Sequence, residues 1–270
     1  MSAYTLTRRR LAGAALALVF ALAPAGAAFA TEKLKLGVMG GDEERIWEVA
    51  KKVAAKDGLD IELVSFSDYA IPNEALEKGD LDANAFQHKP YLDSQIAARG
   101  YKIVPIGYTL VQPIALYSKK LKAFADLKEG AVIGIPNDPS NGGRALKLLE
   151  ANGLIKLKTA EGQVPSVLDV SDNPKKVEFK EIEASQLANL LPDLDGAVIN
   201  TNYALGAGLT PAKDALIQES RTNNPYGNFI AVREADKDKP IFKKLVASYQ
   251  NQEVADFINA NFKGAIQPAW

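Results

Sequence analysis

The run Leu34-Lys-Leu-Gly-Val-Met-Gly-Gly-Asp-Glu-Glu-Arg-Ile-Trp-Glu-Val-Ala-Lys-Lys-Val-Ala54 changes its hydrophobic period halfway along. Leu34, Leu36 and Val38 alternate with other residues, as on a strand with one face in a core. Gly40-Gly41 breaks the strand, and Asp42 is the expected N-cap of a helix. Ile46, Val49, Ala50, Val53 and Ala54 then recur at i, i+3, i+4, i+7 and i+8, the stripe of an amphipathic helix that stops near Gly58. A strand that feeds a helix through a glycine turn opens a βαβ unit, and such units imply a mostly parallel sheet covered by helices.

The same alternation continues on both sides of the chain's midpoint. Ile61–Phe66 reads as a second strand, Asn73–Lys78 as a short helix, Leu81–Phe86 as a strand, and Pro90 opens a helix closed by Gly100. After Pro113–Ser118 the scheme restarts with an apolar strand, Ala131–Ile135. A polar loop from Pro136 comes next, with Ser140 as expected N-cap of a helix over Gly142–Asn152. Val177–Lys180 and Asp195–Ile199 read as further strands around a helix at Ser185–Leu191, and Phe229–Val232 as a late strand followed by two amphipathic helices that pack back on the first half. The fold class is therefore α/β in two similar lobes, with chain crossings near Tyr108–Tyr117 and near Asn228–Arg233. The division expected is residues 1–30, then lobe I over 31–112 and 231–270, with lobe II over 113–230. No Ser-, Gly- or Pro-rich tether separates the lobes. A cleft between them, fed by strand ends and helix N-termini, is the expected ligand site.

Composition narrows the function. The 270 residues hold 32 Lys+Arg against 33 Asp+Glu and no cysteine, so disulfides, thiolate metal sites and cysteine nucleophiles are excluded. Arg8, Arg9 and Arg10 precede an uncharged run, Leu11–Ala23, then Pro24, Gly26 and the small-residue ending Ala28-Phe29-Ala30. This is the pattern of a cleaved signal peptide, with cleavage after Ala30 or Ala27, and Thr7–Leu11 partly matches a twin-arginine signal. A membrane anchor is the competing reading; Pro24, Gly26 and the Ala-x-Ala ending favour cleavage. Setting the three arginines aside leaves 29 basic and 33 acidic residues, a net charge of −4 that argues against nucleic acid as a partner. No later segment is apolar enough to span a bilayer, so a soluble periplasmic body is expected.

Strand ends supply the candidate site. Tyr69, Phe86, His88 and Tyr91 follow or end strands and could form one ring-lined wall, suited to an apolar or thioether side chain. Any one of these aromatics taken alone fits a core position under a loop better, and it is their clustering at strand ends that argues for a wall. Asn137–Arg144 joins a strand to a helix start, where free backbone N–H groups and the Arg144 guanidinium suit a carboxylate; Arg144 could instead pair with a surface acid. The loop lacks the Gly-Lys-Ser/Thr ending of a phosphate-binding loop. Asn200, Asn202 and Asn228 lie beside presumed crossings and could turn amide oxygens to an ammonium, although Asn is also common in turns.

The stretches Asn84–Leu92, Ile135–Arg144, Val198–Tyr203, Gly208–Lys213 and Asn224–Asn228 together resemble the NlpA-type substrate-binding proteins of methionine ABC importers, from about Lys33 to Trp270. The resemblance implies a two-lobed periplasmic-binding-protein fold of type II-like form that closes over one amino acid and delivers it to a permease with an ATPase subunit. It implies that Tyr69, Phe86, His88 and Tyr91 surround a methionine side chain, L- or D-, that Arg144 holds the carboxylate, and that Asn202 and Asn228 contact the main-chain groups, with Asn141 and Asn200 beside them. Members of that family are mostly lipoproteins acylated on a cysteine. Here Ala28-Phe29-Ala30-Thr31 stands in its place, so a monomer without a lipid anchor is expected. No cofactor is implied. An enzyme is disfavoured, since His88 is the only histidine and no Gly-x-Ser-x-Gly is present. A binding protein for a different amino acid or a small anion is the other reading.

Overall fold

Leu34, Leu36 and Val38 do point into one core, and the strand that carries them becomes the hub of a sheet. The computed structural model describes Met1 and residues 31–270, so the expectations for the N-terminal leader lie outside the described residues. In chain order the first half runs β1 (Glu32–Met39), α1 (Asp42–Lys56), β2 (Leu59–Phe66), α2 (Pro72–Lys78), β3 (Ala83–His88), α3 (Lys89–Arg99) and β4 (Ile103–Val111). The second half runs β5 (Ala115–Tyr117), β6 (Val132–Pro136), α4 (Pro139–Ala151), β7 (Lys156–Leu157), β8 (Val170–Asp172), β9 (Glu178–Ile182), α5 (Leu187–Leu190), β10 (Gly196–Ile199), α6 (Thr201–Gly206), α7 (Pro211–Asp214) and β11 (Ala215–Gln218). The chain ends with β12 (Gly227–Arg233), α8 (Pro240–Tyr249), α9 (Gln252–Phe262) and β13 (Gln267–Pro268).

Two sheets form the two lobes. The first has the order β13-β4-β12-β3-β1-β2 and the second β11-β5-β10-β6-β9. Parallel pairing joins β1 to β2 and β3, and β6 to β9 and β10, as the βαβ reading requires. In each sheet the strand entered from a crossing runs against its neighbours: β12 lies antiparallel between β3 and β4, and β5 antiparallel between β10 and β11. Each sheet buries both faces. Leu34, Leu36 and Val38 pack under α1, α8 and α9, while Leu76, Leu81, Leu92 and Phe229 fill the opposite side. In the second sheet Ile133 and Ile135 pack with Leu146 and Leu149 of α4 on one face, and Ala197 and Ile199 with Leu187 and Leu191 on the other. The late helices thus return to the first lobe.

Three positions differ from the sequence expectation. The second crossing lies over residues 219–226, between β11 and β12, rather than at Asn228–Arg233, and residues 227–230 pair in the first sheet. The apolar run Phe229–Val232 marked the strand, while its polar start at Gly227 and Asn228 carried no hydrophobic signal. Asp42 is the first residue of α1, not its cap; Gly41, at φ 87°, makes the turn. Ser140 is likewise inside α4, and Asp138 is the cap, accepting the Asn141 backbone N–H at 2.9 Å.

Candidate functional site

The carboxyl ends of β1, β3, β6 and β10 and the starts of α1, α3, α4 and α6 face one another across the space between the two sheets. All nine residues singled out from the sequence line one narrow cavity there: Tyr69, Phe86, His88, Tyr91, Asn141, Arg144, Asn200, Asn202 and Asn228. Glu43, Gln87, Gln112 and Thr201 complete its wall.

One end is ring-lined. Tyr69, Phe86 and Tyr91 have ring centroids 5.8–6.0 Å apart, and Tyr203 stacks on Tyr69 at 5.0 Å. Polar tips fix these rings: the Tyr91 hydroxyl donates to the Tyr69 carbonyl at 2.8 Å, and the Tyr69 hydroxyl donates to Asn202 Oδ1 at 2.6 Å, across the lobes. Rings so oriented leave their faces and edges to an apolar or sulfur-bearing side chain. The aromatics are thus both core and wall, since Met39, Phe86 and Tyr91 form a small cluster of their own.

The other end is polar and centred on Arg144, only 4% exposed on the second turn of α4. Its Nε and Nη2 donate to the Glu219 carboxylate at 3.0 and 2.5 Å, and Nη2 also donates to the Gln112 carbonyl at 2.8 Å. The Tyr226 ring lies 4.0 Å beneath the guanidinium, a cation–π contact. One edge of the fork is therefore already engaged, and among the described residues Nη1 has no hydrogen-bond partner. Arg144 does pair with an acid, as the alternative held, but Glu219 is part-buried rather than on the open surface.

A chain of amides ties the lobes together. The Tyr91 backbone N–H donates to His88 Nδ1, which places the imidazole proton on Nε2. Nε2 then donates to Asn141 Oδ1 at 3.2 Å, an oxygen that also accepts from Asn200 Nδ2 at 3.0 Å. Asn141 Nδ2 in turn donates to the capping Asp138 carboxylate. Burial first, and the Arg144 charge second, pull the His88 pKa down from the ordinary 6.5 to about 3, so the imidazole is a neutral donor. Asn228 Nδ2 donates to the Phe86 carbonyl. Asn200 Oδ1, buried and without a partner among the described residues, is an acceptor pointing to a donor from elsewhere.

Beyond Gln87, Gln112 and Thr201 in the wall, Glu219, Tyr226 and Glu43 were not expected from the sequence. Glu219 and Tyr226 lie in the second crossing, which no hydrophobic period marks. Glu43 sits among the acids of the first turn of α1, where solvent-facing carboxylates are the ordinary pattern. Its burial at 3% exposure sets it apart from its neighbours Asp42 and Glu44. Among the described residues no group of three or more His, Cys, Asp or Glu is placed to hold a metal ion, and no helix is long and apolar enough to cross a membrane.

Comparison with known proteins places these features in a family. The model of the NlpA lipoprotein family matches residues 34–270. The D-methionine-binding lipoprotein MetQ of Escherichia coli (strain K12) is 52% identical over 240 residues, 88% of each chain. A MetQ lipoprotein of Yersinia pestis is 52% identical over 244 residues, 89% of this chain and 90% of that one. Among solved structures, a nutrient-binding protein from Burkholderia cenocepacia bound to methionine superposes with a TM-score of 0.86 at 52% identity, covering 88% of this chain and all of that one.

Proposed function

The chain belongs to the NlpA lipoprotein family, and from that premise we propose that it is the substrate-binding component of an ABC importer, closing its two lobes over methionine and presenting it to a membrane permease driven by an ATPase. One observation carries the reading: a single interlobe cavity joins a ring-lined end to a polar end built on a buried arginine. That polarity matches an amino acid with a thioether side chain. In this reading Tyr69, Phe86, His88 and Tyr91 surround the side chain, the Nη1 edge of Arg144 takes the carboxylate, and Asn202 and Asn228 meet the main-chain groups. Asn141 and Asn200 complete the polar end.

In this reading lobe I comprises residues 31–112 and 227–270 and lobe II residues 113–226, because 227–230 join the first sheet. The reading assigns no catalysis, because the one histidine is a neutral donor locked to Asn141 and no nucleophile adjoins it. Relatives in the family are named lipoproteins, whereas this chain has no cysteine to acylate. The signal-like pattern at residues 1–30 supports export, so that the protein meets its permease from the periplasm.

The test is a thermal-shift and calorimetry panel on the purified protein with L-methionine, D-methionine, other amino acids and small anions. Methionine at about 100 times its Kd adds roughly 2.7 kcal/mol to unfolding and raises Tm accordingly. No response to either enantiomer, with a response to an unrelated solute, overturns the methionine assignment.

A further inference from the structure

We propose that Glu43 is the residue that pairs with the ammonium group of the ligand and so restricts the site to ligands that carry an amine. The inference rests on the proposed function above and adds a determinant to it.

Glu43 lies in the first turn of α1 and lines the interlobe cavity while almost wholly buried. Gln112 Nε2 donates to its Oε1 at 2.8 Å, and among the described residues that is the only hydrogen bond the carboxylate accepts. The cations of the site are spoken for: Arg144 is paired with Glu219, and His88 is neutral. The neighbours from other elements are uncharged, namely Gln112 and the phenols of Tyr69, Tyr203 and Tyr249, while Asp42 on its own helix adds like charge. Burial pushes the Glu43 carboxyl up to about 8. In the ligand-free protein most of the carboxyl is therefore protonated at pH 7, and it gives its proton up to solvent when an ammonium arrives from outside to pair with the carboxylate.

The position fits an amino acid's main chain. Gln112 holds both anchors at once, its backbone carbonyl accepting from Arg144 Nη2 and its side-chain amide donating to Glu43. The carboxylate and ammonium of an amino acid are both bonded to its Cα, so a cationic and an anionic anchor held by the same residue suit both together. The orphaned Asn200 Oδ1 in the same wall supplies a second acceptor for an N–H. The acids' usual role at a helix N-terminus is met by the more exposed Asp42 and Glu44, and it does not call for a third carboxylate turned inward.

The experiment compares methionine with its desamino analogue, 4-(methylsulfanyl)butanoate, by calorimetry at pH 7. Wild-type protein binds methionine at least about tenfold more tightly than the analogue. Glu43→Gln erases most of that preference by weakening methionine alone, and Glu43→Asp, which keeps the charge, restores part of it. Equal weakening of both ligands in a folded Glu43→Gln protein assigns Glu43 a structural role and overturns the proposal. So does a wild-type protein that binds both ligands equally, which needs no variant to fold. Failure of the wild type to bind methionine at all overturns the functional reading instead, and the two failures are distinguishable.

Discussion

Phe86 shows how one side chain serves stability and selectivity together. It is 4% exposed and packs edge-on against Tyr91, so truncation opens a cavity and costs about 3–5 kcal/mol of folding stability. The same change removes part of the thioether wall but none of the Arg144 end. Phe86→Ala therefore lowers methionine affinity relative to alanine affinity by about tenfold or more, read by calorimetry on both ligands. Equal losses for the two amino acids contradict a ring-lined side-chain site. Protonation gives a second prediction at this scale. The His88 pKa falls from 6.5 to about 3 on folding, so its stabilising contribution is complete above pH 6.5 and is lost as pH drops toward 3. The Glu43 pKa rises from 4.5 to about 8, so its contribution is complete below pH 4.5 and is lost as pH climbs through 8. Urea denaturation of the ligand-free protein across pH 4–9 should show the alkaline loss flattened in Glu43→Gln and the acid loss flattened in His88→Gln. Limbs unchanged by these variants contradict the assignments.

At the scale of elements, α4 carries the most consequence for its length. Asp138 caps it, and the same carboxylate accepts from the side chain of Asn141, whose oxygen then serves His88 and Asn200. Asp138→Ala is expected to cost about 1 kcal/mol of stability through the lost cap. It also frees the Asn141 amide, so methionine binding weakens beyond what the stability change explains; chemical denaturation and calorimetry on one sample separate the two. Unaltered affinity in a destabilised protein shows that the cap and the site are independent. This helix also marks how far sequence reasoning reached. A helix over Gly142–Asn152 was expected, but Ser140 and Asp138 are both good cap residues, and only the fold of the loop decides between them. The strand ends were legible for the same reason as the core, because alternation at Leu34–Val38 and the apolar runs at Ile133 and Ala197 state which face is buried. Glu219, Tyr226 and Glu43 were not, since a polar or ring side chain turned inward by tertiary structure leaves no period to read.

For the whole molecule, hydrogen bonds at and beside the cavity join the two lobes. Tyr69 to Asn202, Tyr203 to the Ser67 carbonyl, and His88 to Asn141 span the lobes. A ligand that touches both lobes favours the closed form only by its extra affinity for that form, so residues on both sides must contribute. Two lobes and two crossings were legible from the repeated strand–helix order. The second crossing was displaced because polar residues 219–226 connect sheets without hydrophobic marking. The most direct measurement of the central claim is a crystal structure of the protein soaked or grown with methionine. The account predicts one methionine between the lobes, its carboxylate within hydrogen-bond distance of Arg144 Nη1 and its sulfur among Tyr69, Phe86 and Tyr91. Methionine bound outside this cavity, or bound in it with the side chain toward Arg144, contradicts the account.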